Sequence, residues 1–252
     1  MILHIPHSSD VIPINLRGQI MLSDDDLASE LLLMTDAFTD ELFMLSETAV
    51  ITFPISRLLV DVERFPDDDK EPMSNVGMGM IYTHTAFGNR LKRVLNPDEK
   101  KYMRSRYYDP HHLALTIAVE NEIQMCGSAL IVDCHSFPSQ PLPCDQDQSI
   151  PRPEFCIGKD SFHTPTRLSQ KIIENLQKKG FIVEVNRPYE GTMVPQAFYK
   201  NEPRVMSIMI EINRSLYMDE KTGAKTNGFD AAKRRIENIL LSIKQFQEQD
   251  SR

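Results

Sequence analysis

The sequence is short of the features that would assign it to several functional classes. Its 252 residues hold no apolar run near the roughly 20 residues that a membrane helix needs. Positive charge is in deficit, with 28 Lys and Arg against 36 Asp and Glu, a formal net charge of -8. A nucleic-acid footprint would be basic and clustered, so no nucleic-acid partner is expected, and no membrane partner either. The four cysteines, Cys126, Cys134, Cys144 and Cys156, include no CxxC pair. The opening stretch, "MILHIPHSSD", lacks the charged start and long apolar stretch of a secretory signal. Free thiols in a cytoplasmic protein are the expectation that follows. Repeats, long low-complexity tracts and an HExxH zinc helix are absent as well.

What is present is an alternation of strands and helices. At 41% hydrophobic residues, the chain can build one substantial core, which predicts one α/β domain over residues 1–252. "MILHI", "TAVITFPI", "SRLLVDV", "SALIVDC", "EFCIG", "FIVEVN" and "VMSIMIEIN" read as strands. Ser23 before three Asp residues predicts a capped helix with the stripe Leu27, Leu31, Met34, Phe38 and Leu42. Asn96-Pro97 starts another helix, expected to break near Asp109-Pro110 and to run on to about Met125. Thr164-Pro165 begins a third, which ends at Gly180, and residues 227–246 form a closing helix. Residues 66–90 have the composition of a long loop. The runs "ALIV" and "MSIMI" suit strands covered on both faces, so the fold expected is three-layer α/β/α around a mixed, mostly parallel sheet.

Ligands in such folds sit at the carboxyl ends of the strands. Three strand ends carry reactive side chains: "HIPHSSD" with His7, "VDCHS" with Asp133 and His135, and "IEINR" with Glu211, Asn213 and Arg214. Strand alternation puts Asp133 and His135 on one face and Cys134 on the other, which argues against a Cys134–His135 thiol hydrolase. Two imidazoles and a carboxylate form a ligand set of catalytic zinc sites. His7 and Asp10, three apart in one loop, and His135 from the central strand would hold one Zn²⁺. Glu211 ends an apolar strand, where an unpaired carboxylate is costly to bury, and it is left as the general base. Asp133 would orient His135. Each piece also has a structural reading: a hydrogen-bonded histidine, or an Asp10 that caps a turn. The conjunction favours a site.

These residues also carry a family likeness. "HIPHSS", "RLLVDVERFPDD", "DCHSF", "VNRPYEGT" and "EINRSLY", in that order over residues 1–217, resemble the N-formylglutamate amidohydrolase family. That family is similar in fold to the zinc exopeptidases (phosphorylase/hydrolase-like) and to the aspartoacylase-type deacylases. The resemblance implies an early His, a middle His in a D-x-H strand end and a late catalytic Glu, which His7, His135 and Glu211 match. It implies a zinc-dependent hydrolysis of a small acidic N-acyl amino acid, N-formylglutamate first among them. The exopeptidase H-x-x-E reads here as His7 to Asp10, which makes Asp61 the substitute ligand. The deacylase D-x-N-R reads here as Asp61-Val62-Glu63-Arg64, with Glu in place of Asn. Arg64 would fork onto a substrate carboxylate, and Arg90 in the long loop would reach a second. Asn186 and Tyr189 would border the substrate, or simply build a tight turn after "FIVEV". Competing readings keep the metal with another acyl-amino-acid or peptide substrate, or keep the fold as a binding protein without turnover.

Overall fold

A computed structural model describes residues 1–250; residues 251 and 252, the end of the expected domain, lie outside the described residues. The chain runs β1 (Ile2–Ile5), α1 (Ile14–Arg17), α2 (Asp24–Met34), α3 (Thr39–Leu42), β2 (Ala49–Thr52), α4 (Pro97–Met103), α5 (Asp109–Cys126), β3 (Ala129–Phe137), β4 (Phe155–Gly158), α6 (Thr166–Lys178), β5 (Val183–Val185), β6 (Val205–Asn213) and α7 (Phe229–Asp250). The strands form one sheet in the order β2-β1-β3-β6-β4-β5. β2, β1, β3 and β6 are parallel. β4 runs antiparallel to β6 and carries β5 parallel to itself.

β3 and β6 occupy the centre because their side chains are apolar on both faces, and all nine residues of each are buried. Leu130, Val132 and Cys134 join Ile208, Ile210 and Ile212 on one face, against Leu168 and Ile172 of α6 and Ile236 and Leu240 of α7. Ala129 and Ile131 turn to the other face and meet Leu115 and Val119 of α5. Helices therefore cover both sides of a mixed, mostly parallel sheet. Among the described residues, no helix is long and apolar enough to cross a membrane.

Local chemistry accounts for the helix starts. Ser23 accepts a hydrogen bond from the Asp26 amide, and Asn96 and Glu99 form a reciprocal capping box. The helix begun at Pro97 is interrupted before Asp109-Pro110 and restarts there, as expected. A π-helical turn, Arg104–Tyr108, leads directly into α5, and Pro110 sits in its first turn, where its missing N–H is not needed.

"SRLLVDV" is a correction. It forms turns rather than a strand, with Leu59 N donating to Ser56 O (2.9 Å) and Asp61 N to Met80 O (2.8 Å). Its apolar residues are buried all the same, in a separate cluster of Phe53, Leu58, Leu59, Val60, Val62 and Tyr82. An apolar run reports burial, and burial under a loop looks like burial in a sheet. The expected loop at 66–90 contains two short 3₁₀ turns, Asp68–Lys70 and Pro72–Val76.

Candidate active site

Sheet register assembles the site. In the parallel β3–β6 ladder, His135 stands directly opposite Glu211, and one row below, His4 of β1 stands opposite Asp133. All four side chains share the face that α5 covers further down, where the strand ends open into a cleft of about 680 Å³. His7, just past β1, and Glu63 and Arg64, from the turn segment after β2, line the same cleft. The 186–193 loop closes its rim. Met193 N donates to Asp133 Oδ2 (2.8 Å), and Gly158 has no room for a side chain because a Cβ would lie 2.3 Å from Gly191 O.

His7 is held by one nitrogen only. Its Nε2 donates to Asp61 Oδ1 (2.9 Å), while its Nδ1 is buried with no hydrogen-bond partner. Asp61 is fully engaged in this task. It also accepts from the Glu63 amide (3.0 Å), Arg57 Nη2 (2.8 Å) and the Tyr82 hydroxyl (2.7 Å). Burial alone would raise the Asp61 carboxyl, but Arg57 and His7 outweigh it and hold it well below the usual range. Burial, with Arg57 adding to it, lowers His7, so the ring is neutral near pH 7 and Nδ1 presents a lone pair.

His135 is positioned by Asp36, two residues past the end of α2, which no sequence motif singled out. Asp36 Oδ2 accepts from His135 Nδ1 (3.0 Å), and Asp36 Oδ1 accepts from Arg214 Nη2 (2.9 Å). His135 Nε2 points the other way, 3.2 Å from Glu63 and 3.1 Å from Asp133. Burial opposes charge on His135, but Glu63 and Asp133 prevail and hold its pKa well above the ordinary value.

Arg214 thus serves the scaffold. Its Nη1 donates to Leu33 O (2.6 Å) and its Nε to Ser136 Oγ (3.2 Å). Arg214→Met is predicted to strand a buried Asp36 charge and to cost about 3–5 kcal/mol. Urea unfolding of the chelator-treated variant measures this, and a loss under about 1 kcal/mol would show that Asp36 does not depend on the pair.

One ligand atom each from His7, Glu63 and His135 lies within 4.8 Å of the others, a set that could hold a metal ion. The orphaned His7 Nδ1 and its orienting carboxylate suit a divalent cation. His4, Glu63 and Asp133 meet the same spacing. There, however, His4 Nδ1 is already bonded to Asp133 Oδ1 (2.8 Å) and its Nε2 to His111 Nε2 (2.8 Å), so the unspent donor belongs to the first set.

The expected residues distribute unevenly. Asp10 is exposed and outside the group, because Ser9 Oγ ties the loop outward to Pro54 O (3.0 Å); Glu63 is the carboxylate that stands beside the two imidazoles. Asp133 touches His135 at Nε2 rather than at the back of the ring. Asn186 lines the cleft in a left-handed conformation (φ 54°), with its Oδ1 accepting from Lys159 N (2.7 Å). Tyr189 lines it too and donates to Asp145 Oδ1 (2.9 Å). Arg90 is absent from this cleft and lines a second one. His111 and His112 are both engaged, His111 with His4 Nε2 (2.8 Å) and His112 through Val62 O (2.8 Å). Cys134 lies in the core on the opposite face, where burial raises its thiol well above the ordinary value, so a thiol nucleophile finds no support.

Glu211 is 6% exposed, and its Oε2 has no hydrogen-bond partner. Burial pushes its carboxyl up to about 8, against the pull of His135 and with Asp36 and Glu63 adding to the rise. A buried carboxylate poised near neutral pH and facing a candidate cation site has the properties of a general base.

An α/β sheet with a buried carboxylate, two imidazoles and an arginine, Arg64, gathered at its carboxyl edge has the side chains of a hydrolase-like enzyme. The chain belongs to the N-formylglutamate amidohydrolase family, whose sequence model matches residues 1–218. Its fold is that of N-formylglutamate amidohydrolase from Ralstonia eutropha JMP134, with a TM-score of 0.85 at 24% identity over 99% of this chain and 94% of that one. The gene product Atu2144 from Agrobacterium tumefaciens is similar at a TM-score of 0.64 and 20% identity, over 98% of this chain and 92% of that one. No curated protein sequence matches the chain.

Proposed function

We propose that residues 1–252 act as one catalytic unit that hydrolyses the formyl amide of N-formylglutamate to glutamate and formate, with a single Zn²⁺ as cofactor. Family membership supports the reaction class. The observation that carries the metal is the orphaned His7 Nδ1 beside Glu63 and His135. His7, Glu63 and His135 would hold the ion, in place of the Asp10-containing set read from the sequence. A bound divalent cation supplies Lewis acidity to the amide carbonyl and acidifies water.

The chain's own residues supply the rest. Glu211 takes a proton from the attacking water as the oxygen bonds to the formyl carbon. It then returns that proton to the departing amine nitrogen as the C–N bond breaks. Asp61 and Asp36 keep the His7 and His135 rings turned toward Glu63.

Arg64 would receive a substrate carboxylate. Its Nε is buried without a hydrogen-bond partner, and its nearest acid, Asp61, is 3.8 Å away and already engaged by Arg57 and Tyr82. A planar fork on the cleft wall suits a carboxylate. Arg64→Ala is predicted to raise KM for N-formylglutamate by roughly 10²-fold while moving a neutral formyl-amino acid only a few-fold. An equal effect on both substrates would make Arg64 structural. The direct test of the function is zinc analysis of the purified protein beside turnover of N-formylglutamate, N-acetylglutamate and neutral N-formyl amino acids. Absence of both zinc and formate release would refute it.

A further inference from the structure

A second cleft of about 350 Å³ has no lining residue in common with the first. Arg90, Lys92, Arg93, Lys100, Lys101 and Arg104 line it, against one carboxylate, Asp68. Such a concentration of positive charge is out of keeping with a chain of net charge -8. Two of these cations are engaged: Arg93 with Glu99 (3.0 Å) and Arg104 with Asp109 (3.1 Å). Arg90 gives only its Nε, to the Lys92 carbonyl (2.9 Å). Lys100 and Lys101 have no acidic partner among the described residues.

Lys92 is the deepest member, at 1% exposure. Its ammonium donates to the carbonyls of Leu58 and Leu59 (3.1 Å for the latter), and among the described residues no carboxylate pairs with it. Burial pulls its pKa down to about 7, with no opposing charge to restore it. A buried ammonium held only by carbonyl dipoles is a charge without a counter-ion. It sits in the wall of a cleft whose mouth holds three cations free to act.

We infer that this cleft binds a small oxyanion carrying two or more negative charges, gripped by Arg90, Lys100 and Lys101 and drawn inward by Lys92. Phosphate esters and polycarboxylates share that chemistry. Leu58 and Leu59 belong to the turn segment that continues into Asp61, Glu63 and Arg64, so the bound anion reaches the catalytic loop through the Lys92 hydrogen bonds. Arg90, read from the sequence as a substrate ligand, finds its anion here instead.

The test is calorimetric titration of the full-length protein with inorganic phosphate and, separately, with tricarballylate, at constant ionic strength with chloride as the reference. At least one of the two anions should bind saturably. A Lys100→Gln/Lys101→Gln double variant should weaken that binding at least roughly tenfold, and Arg90→Gln, checked like it for native circular dichroism, should weaken it as well. Arg64→Ala should leave it within about twofold. Binding of phosphate alone identifies a phosphoryl ligand, and binding of tricarballylate alone a polycarboxylate. Binding of neither anion, or undiminished binding in the double variant, overturns the inference. So does binding that Arg64→Ala abolishes and the double variant keeps, which would place the anion in the catalytic cleft.

Discussion

Glu211→Gln is expected to leave a folded, zinc-loaded protein that turns over about 10²–10⁴-fold more slowly than the wild type. Gln keeps the shape of the side chain and cannot accept a proton. The same exchange should stabilise the cation-free protein. The folded-state pKa of Glu211, about 8, lies above its ordinary value of 4.5, so within that window the folded chain keeps a proton that the unfolded chain releases. Stability therefore falls as pH rises through the window, by an amount on the order of 3 kcal/mol at pH 7. Gln removes this titration. In chelator, the variant should unfold at higher urea than the wild type at pH 8, and at nearly the same urea at pH 4.5. Turnover within a few-fold of wild type would remove Glu211 as the base, and loss of the cation would make it a ligand.

The second large effect concerns the cation itself. Glu63→Ala and His135→Ala are predicted to lose stoichiometric zinc and, with it, turnover, while Asp10→Asn keeps both. Each of the first two removes one of the three proposed ligands, whereas Asp10 is exposed and outside the group. Glu63 and Asp133 hold the His135 pKa well above its ordinary value, so a cation bound through this ring would have to displace a proton. Affinity should then weaken as pH falls, by about tenfold per unit below the His135 pKa. Zinc titrations at pH 6 and pH 8 measure that slope. Wild-type zinc content in Glu63→Ala would return the choice of carboxylate to Asp10 or another acid.

Sequence and structure part at one carboxylate beside the two imidazoles, Asp10 in the first and Glu63 in the second, for a definable reason. His7 and Asp10 are three apart, and spacing suggested a shared ion. Glu63 looked like a departure from a pattern, because it occupies the place of an Asn. The choice between them depends on where two loops go. Ser9 ties its loop outward to Pro54, while the "RLLVDVER" segment folds under the strand ends as turns. Neither path follows from periodicity, since an apolar run buried beneath a loop has the composition of a strand. Asp36 and Arg214 were harder still to place, because they stand 178 positions apart and meet only where Arg214, just past β6, reaches back to the end of α2. Arg90 was readable as an anion ligand, but the cleft that it enters was not.

The sequence by itself determined the layers, the two central strands and the face that carries the chemistry. Alternation along a strand is local, so Asp133 with His135, and Glu211 opposite to Ile210 and Ile212, could be assigned without a partner. It also determined the family, because five motifs in order over most of the chain are rarely met by chance. Tertiary structure alone decided which carboxylate joins the imidazoles, which acid holds each ring and which arginine lines the cleft. Those choices rest on contacts between segments distant in the chain, where a shift of one turn exchanges a buried ligand for an exposed side chain. Burial then sets the charge state of each group that the fold has brought together.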